Sequence, residues 1–142
     1  MTLTFDAHPR SSLIVALDFD SLSSAVKFAR QVADLVGMFK IGNQLFTAAG
    51  PVAIERALKR GYRVFLDLKY HDIPNTVTGA VREATRLGVF MLNVHASGGA
   101  AMMRAAATAA TKAARDFSVA RPLCLGVTVL TSLDRRALET EV

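Results

Sequence analysis

Residues 64–76 read VFLDLKYHDIPNT and contain the clearest indication of the fold. The stretch opens with an apolar segment, residues 64–68, which is typical of a buried strand although Asp67 interrupts it. A short polar loop follows and leads to Pro74, and proline is favoured at the first position of a helix. The stretch therefore predicts a β-strand that passes through a loop into a helix covering residues 74–87.

The same alternation of strand and helix extends in both directions along the chain. Ser21 or Ser23 can cap a first helix, Gly50 and Pro51 open another, and Ser132 is the predicted cap of a last one. An alanine-rich helix is predicted over residues 100–114. Strands are predicted at 13–17, 38–41, 64–68, 89–94 and 123–130. Strict alternation of this kind indicates an α/β fold with a parallel sheet.

Composition limits the class of protein. The chain has 142 residues, of which 51% are hydrophobic and 20% charged, as in ordinary globular proteins. Residues 1–12 are polar and are predicted to form a flexible N-terminal extension, and residues 13–142 are predicted to form a single domain. The longest uncharged run, residues 88–103, includes three glycines and several polar residues, so we expect no membrane span. We therefore expect a soluble, cytoplasmic protein.

The net charge of +5 raises the question of a nucleic-acid partner. Six basic residues fall near predicted helix ends, where cations complement the helix dipole: Arg30, Lys59, Arg60, Arg86, Lys112 and Arg115. The densest basic group, within residues 56–63, has one aromatic neighbour, Tyr62, so there is no stripe of basic and aromatic residues that could stack on bases. We therefore predict no nucleic-acid partner, and a modest field that favours an anionic small substrate. The single cysteine, Cys124, excludes an intrachain disulfide and is expected to be a core residue.

Polar residues occur where each predicted strand ends. In a parallel sheet these ends meet at one edge, where α/β proteins build their sites. For any single residue, a strand leaving the core for solvent is the simpler explanation. That explanation fits poorly for Lys40, which has apolar neighbours on both sides, and for Asp67. The strand-end residues are Asp18, Lys40, Asp67, Lys69, Asn93, His95 and Thr128.

Asp67 and Lys69 are the most informative pair. Residues i and i+2 of a strand point to one face, so the two charges are expected to project together. Asp72 follows in the loop, and we predict alternating contacts in the order Lys40, Asp67, Lys69, Asp72. Flanking carboxylates favour the charged form of a lysine, which makes Lys69 a candidate proton donor.

Residues 67–76, DLKYHDIPNT, closely resemble the signature of the orotidine 5′-phosphate decarboxylases. Residues 15–18, 39–42, 93–99 and 127–132 resemble other strand ends of the same family, so the resemblance covers nearly everything from residue 13 onward. It implies a TIM barrel, a homodimer, and decarboxylation of orotidine 5′-monophosphate to UMP in pyrimidine biosynthesis. The sequence itself shows no cofactor motif and no spacing of metal ligands, so we expect neither a cofactor nor a metal.

The resemblance also implies roles for individual side chains. Asp18 would hold the ribose hydroxyls, and Lys40 would contact the ribose and the charge array. Asp67 would lie against the substrate carboxylate, and Lys69 would deliver a proton to C6 of the pyrimidine. The predicted catalytic set consists of Lys40, Asp67, Lys69 and Asp72.

The remaining implied positions lie in two loops. Asp72 and Thr76 would reach across a dimer interface into the partner's site. Thr131 matches a substrate-binding position near the pyrimidine. Between Asp72 and Thr76, the signature residues Ile73, Pro74 and Asn75 complete the predicted substrate-binding set.

These residue types suit the reaction. Loss of CO₂ from a pyrimidine ring leaves a carbanion that no π-system absorbs, and the sequence has no cofactor motif that could act as an electron sink. Stabilisation must then be electrostatic: Lys69 would stabilise and protonate the carbanion, and Asp67 could repel the substrate carboxylate.

Chain length adds one expectation. The predicted strand ends recur about every 27 residues, so an eight-unit barrel needs about 220 residues. We therefore expect an incomplete barrel with about five of eight βα units, in which the loops that usually bind phosphate are missing. Such a chain alone is expected to be a poor decarboxylase or none.

Two other interpretations stay open at this point. One is a sugar-phosphate decarboxylase or aldolase of the same barrel superfamily, which would share the Asp-x-Lys-x-x-Asp core and require Mg²⁺. The other is a non-enzymatic partial barrel whose open strand edges bind another chain. The segment 73–76 favours the decarboxylation of a nucleotide.

Overall fold

A computed structural model of the chain describes residues 12–140. Residues 1–11 and 141–142 lie outside the described residues. The predicted N-terminal extension, apart from Ser12, falls in this undescribed part and stays a prediction.

Five strands form one sheet, and every neighbouring pair is parallel. Their spatial order is β1-β2-β3-β4-β5, the same as their order in the chain. A doubly wound sheet reverses its strand order at a switch point, whereas a TIM barrel runs in sequence, so the topology is of the barrel type. The predicted α/β fold with about five βα units is confirmed. The strands are β1 Ile14–Ala16, β2 Met38–Gly42, β3 Val64–Tyr70, β4 Met91–His95 and β5 Leu123–Val127.

The helices alternate with the strands. The Ser21 side chain accepts a hydrogen bond from the backbone N–H of Ser24, which identifies Ser21 as the cap of the first helix. Short 3₁₀ turns cover Ala33–Leu35 and Ala96–Gly98. The helices are α1 Leu22–Val32, α2 Asn43–Ala49, α3 Val52–Leu58, α4 Pro74–Arg86, α5 Gly99–Asp116 and α6 Arg135–Thr140.

Three local predictions were wrong. The segment between β2 and β3 forms two helices, α2 and α3, where only the second was predicted; Gly50, with φ of 61°, separates them. The last helix is capped by Asp134, whose carboxylate accepts from the Ala137 N–H at 2.8 Å, and not by Ser132. The fifth strand ends at Val127, so Thr128 lies beyond the strand.

The two faces of the sheet differ in what covers them. One face carries Phe39, Ile41, Leu66 and Leu92, which are buried in the main core with residues of the helices. Alternate residues point to the other face, which is apolar near the start of the strands and charged near their carboxyl ends. Lys40 lies on this second face and is partly exposed, whereas its neighbours along β2 are buried.

Cys124 is exposed, so the prediction that it is a core residue was wrong. Within residues 12–140, β5 is paired with β4 alone and therefore forms an edge of the sheet. That position leaves Leu125 41% exposed as well.

Candidate active site

Asp67 is the centre of a charged cluster at the carboxyl edge of the sheet. It lies near the end of β3 and is only 9% exposed. Lys69 Nζ lies 2.7 Å from Asp67 Oδ1, and Lys40 Nζ lies 3.3 Å from Asp67 Oδ2. Each carboxylate oxygen therefore has its own ammonium partner, which compensates the cost of burying the charge.

The cluster continues from β2 to the residues that follow β1. Lys40 Nζ also lies 3.2 Å from Oδ1 of Asp18, whose side chain is 54% exposed. Charges alternate in the order Asp18, Lys40, Asp67, Lys69. The structure thus brings together four predicted site residues that come from three different strand ends.

An irregularity in β3 shapes the end of this series. Leu66 is paired with Leu92, but the next paired residues are Tyr70 and Val94. Between these two pairs β3 therefore advances by four residues and β4 by only two. Within this bulge Lys69 adopts a φ of 51°, a left-handed conformation that residues other than glycine rarely adopt. The prediction that Asp67 and Lys69 project together assumed a regular pleat, but the regular pleat ends before Lys69. The bulge positions the Lys69 side chain instead.

Asn93 on β4 completes the surroundings of Asp67. Its side-chain Nδ2 donates to Asp67 Oδ1 at 2.6 Å, and its Oδ1 accepts from the backbone N–H of Lys69 at 2.8 Å. Asn93 is only 2% exposed. Asn93 is among the predicted strand-end polar residues but not among the predicted site residues. The signal that could have found it is a lone amide in the apolar run of residues 91–94.

The surroundings of Asp67 determine its charge state. Burial raises the pKa of its carboxyl, but the hydrogen bonds from Lys69 and Asn93 and the positive charges of Lys40 and Lys69 outweigh that effect. The net result is a pKa below the usual value of an aspartate. Asp67 is therefore ionised at neutral pH.

Gly42 is a second site residue that is not among the predicted ones. A Cβ atom at this position would lie 3.0 Å from Lys40 Nζ and 3.2 Å from Asp18 Oδ1. The absence of a side chain at Gly42 therefore leaves the space in which the Lys40–Asp18 ion pair forms. Its signal in the sequence is a glycine two residues after the strand-end lysine.

Asp72 does not join the cluster within this chain, contrary to the predicted contact with Lys69. Asp72 lies in the loop beyond β3, and its Oδ1 accepts from the backbone N–H of Ile73 at 2.6 Å. Among residues 12–140, the series of ion pairs stops at Lys69. Asp72 is exposed, as are the other residues of the segment 71–76.

The other predicted substrate-binding residues lie at the same edge but touch the cluster through no hydrogen bond among the described residues. Ile73 is 66% exposed, and Pro74 begins α4. Asn75 and Thr76 lie in the first turn of that helix and are exposed. Thr131 lies in the exposed turn after β5.

Two histidines lie close to each other at the carboxyl edge of the sheet, His71 directly after β3 and His95 at the end of β4. The rings of His71 and His95 are tilted by 34° with centroids 5.5 Å apart. Across residues 12–140, no three side chains of His, Cys, Asp or Glu are grouped as a metal ion would require. In the same part of the chain, no helix has the length and apolar character needed to cross a membrane.

Comparison with known proteins gives one consistent family. The model of the family described as orotidine 5′-phosphate decarboxylase / HUMPS matches residues 11–142. The orotidine 5′-phosphate decarboxylase of Moorella thermoacetica is 53% identical over 135 residues, which cover 95% of this chain and 54% of the relative. That of Syntrophomonas wolfei is 49% identical over 92% of this chain and 54% of its own.

Solved structures agree with these relatives. The crystal structure of orotidine 5′-phosphate decarboxylase from Lactobacillus acidophilus matches with a TM-score of 0.79 and 34% identity, over 91% of this chain and 58% of that chain. An uncharacterized conserved protein from Geobacillus kaustophilus matches with a TM-score of 0.78 and 41% identity, over 90% of this chain and 59% of that chain. The chain thus spans about half the length of the curated relatives it matches.

Proposed function

The chain belongs to the orotidine 5′-phosphate decarboxylase / HUMPS family, and on that basis we propose that it provides the charged part of an active site that decarboxylates orotidine 5′-monophosphate to UMP. The observation that supports this most directly is the alternating series Asp18, Lys40, Asp67, Lys69 around a buried carboxylate. The curated relatives are named orotidine 5′-phosphate decarboxylases, which supports the same substrate.

Lys69 is the proposed proton donor. The bond between C6 and the carboxylate carbon breaks, CO₂ leaves, and the electron pair stays on C6. Lys69 transfers a proton from Nζ to C6 to form UMP, and the neutral amine then takes a proton from solvent. A cation already held in place where negative charge develops stabilises the transition state without reorganising.

Asp67 has two proposed effects. Its carboxylate, 2.7 Å from Lys69 Nζ, holds the ammonium in position. Because the pKa of Asp67 is lowered, the group is negative at neutral pH and would repel the substrate carboxylate beside it. Loss of CO₂ relieves that repulsion, which lowers the barrier from the bound state.

Asp18 and Lys40 are proposed to hold the ribose. The Asp18 carboxylate is more than half exposed and pairs with Lys40 through Oδ1 only, so it can accept hydrogen bonds from sugar hydroxyls. Lys40 bridges Asp18 and Asp67 and would thereby link sugar binding to the reacting end of the site.

The segment 71–76 is the proposed dimer contact. All six residues are exposed, and the segment includes Ile73, a large apolar side chain that is 66% exposed. This exposure leaves the side chains of the segment free to contact a second copy of the chain, as the resemblance of residues 67–76 to the family signature implies. Asp72 and Thr76 would reach from this segment into the partner's site, and Ile73, Pro74 and Asn75 would line it. Thr131 would contact the pyrimidine.

The site so proposed needs no cofactor and no metal. The cytoplasm is the proposed location, because a nucleotide substrate is dissolved there. The family description also includes HUMPS, so a sugar phosphate is the competing substrate. The segment IPNT at residues 73–76 supports the nucleotide.

The test uses a chimera, because the chain spans about half of its curated relatives. This chain replaces the matched 54% of the Moorella thermoacetica relative. We expect the purified chimera to convert orotidine 5′-monophosphate to UMP without added metal, and the 142-residue chain alone to do so poorly or not at all. Turnover of a ketose phosphate with Mg²⁺ in place of the nucleotide, by a folded chimera, would contradict the proposal.

A further inference from the structure

Asn93 links the two partners of the central ion pair in a way that none of the implied site roles describes. It is a buried amide in the apolar strand β4, and both of its polar atoms are used. Nδ2 donates to the carboxylate of Asp67, and Oδ1 accepts from the backbone of Lys69. One side chain therefore contacts the acid through its carboxylate and the lysine through its main chain.

The contact with Lys69 substitutes for a missing bond of the sheet. Between Leu66 and Tyr70 the regular pairing of β3 with β4 is interrupted, so backbone groups in this bulge lack strand partners. A backbone N–H that is left unpaired away from water is unfavourable. The Asn93 carbonyl satisfies the Lys69 N–H at 2.8 Å, at the residue whose φ of 51° is rarely adopted. Asn93 thus holds the backbone from which the proton donor extends.

The contact with Asp67 determines how the carboxylate is rotated. Oδ1 receives both Lys69 Nζ and Asn93 Nδ2, while Oδ2 faces Lys40. With two donors from different strands converging on Oδ1, rotation about the carboxylate bond would break at least one of these contacts. The orientation of Asp67 and the backbone of Lys69 are consequently set by the same amide.

We infer that Asn93 is a positioning residue for decarboxylation, which fixes the carboxylate of Asp67 and the bulge of Lys69 in one arrangement. The inference rests on the proposed function, and it assigns to Asn93 no contact with substrate. Its consequence is that loss of the amide lowers turnover more than it raises the Michaelis constant.

The first variant is Asn93→Ala in the chimera, with Thr85→Ala as the control. Thr85 is also fully buried and polar, but its hydroxyl bonds to the Val81 carbonyl within α4, away from the cluster. We expect Asn93→Ala to lower kcat by on the order of 100-fold, the effect of misplacing catalytic groups by about 1 Å, with a much smaller change in KM. Thr85→Ala should leave both constants unchanged.

The second variant is Asn93→Asp, which separates position from charge. While protonated, the introduced carboxyl can still donate to Asp67 and accept from the Lys69 N–H. Once ionised it repels Asp67, and the groups facing that pair are Lys69 on β3 and Lys40 on β2, with Asp18 beyond Lys40. We expect the activity of this variant, relative to wild type, to increase as the pH is lowered from neutral, whereas for Asn93→Ala the ratio should be constant near neutral pH and fall only where Asp67 becomes protonated.

A readout without substrate keeps this inference separate from the proposed function. Carboxyl ¹³C NMR of Asp67 should show a higher pKa in Asn93→Ala than in wild type, because a donor to the carboxylate is lost. If the wild-type chimera forms no UMP, the proposed function fails and the NMR titration still decides the role of Asn93. An unchanged Asp67 titration, or an equal shift in Thr85→Ala, would overturn the inference.

Discussion

Lys69 Nζ lies 2.7 Å from Asp67 Oδ1, although the two residues are separated by a bulge and not by a regular strand repeat. The chain reaches this arrangement by placing Lys69 at a φ of 51°. Such conformations are costly and persist only where the surroundings hold them, which is typical of functional sites. The ion pair thus depends on the backbone conformation of Lys69 as well as on the two side chains.

Stability should depend on pH through Asp67. The pKa of this carboxyl is lowered in the folded protein, so the stabilisation it provides is fully present above its unfolded value near 3.8 and is lost as the pH falls through the folded value. We expect Asp67→Asn to be less stable than wild type at pH 7, and the difference to shrink below about pH 4. Urea unfolding of both proteins at several pH values measures it.

The control for that experiment is Glu55→Gln, which neutralises an exposed carboxylate on α3. It should follow the wild-type curve across the whole pH range, because exposed charges contribute little. A stability difference between Asp67→Asn and wild type that does not change from pH 7 to pH 3 would mean that the ionised carboxylate is not the source of the stabilisation.

Gly42→Ala should impair catalysis without unfolding the protein. The backbone at Gly42 has a φ of −96°, which alanine adopts freely, but the new Cβ would lie 3.0 Å from Lys40 Nζ. Lys40 Nζ, at the flexible end of its side chain, must then shift by a few tenths of an ångström relative to Asp18 and Asp67, and we expect kcat/KM to fall by about tenfold. Steady-state kinetics on the chimera measure the loss, and thermal unfolding checks the fold.

Gly79→Ala is the matched control for that substitution. Gly79 lies in α4, and a Cβ there would meet no atom within 4 Å apart from its chain neighbours and the backbone of its own helix. Alanine should stabilise the helix by about 0.5–1 kcal/mol and leave kcat/KM unchanged. If Gly42→Ala retained full activity, the space beside Lys40 would have no part in the site.

Complementation between inactive variants tests whether Asp72 acts across a dimer interface. Lys69→Ala and Asp72→Ala should each be inactive alone, whereas a mixed dimer has one site with an intact Lys69 and an intact partner Asp72. After the two are unfolded and refolded together, we expect about a quarter of wild-type activity, from random pairing in a symmetric dimer. No recovery, in a sample shown to contain mixed dimers, would place Asp72 in the site of its own chain.

The sequence was sufficient for the architecture because the buried strands and the helices alternate with clear periodicity. It was also sufficient to bring Asp18, Lys40 and Asp67 together, since parallel strands end at one edge. Lys69 joins them as predicted, but through the bulge and not through the regular pleat on which its prediction rested. Helix α2 was missed because it directly follows β2 at Gly42, with no side-chain cap to mark its start. The role of Asn93 could not be predicted because it depends on the β3 bulge, a matter of register between strands.

Other differences also arise from the three-dimensional surroundings of a residue. Asp72 was placed next to Lys69 by its distance along the chain, but the loop turns its carboxylate to the Ile73 N–H. Cys124 was predicted to be buried because cysteines usually are, whereas its strand forms an edge within the described residues. Local sequence patterns predict neither the hydrogen bond of the Asp72 carboxylate nor the exposure of Cys124.

The central claim is that Lys69 donates the proton to C6, and UMP formation by the chimera with Lys69→Ala tests it most directly. The control is Lys59→Ala, which removes an exposed lysine at the end of α3. We predict that Lys69→Ala lowers kcat by at least about 100-fold while circular dichroism shows an intact fold, and that Lys59→Ala matches wild type. UMP formation at the wild-type rate by Lys69→Ala would contradict the account.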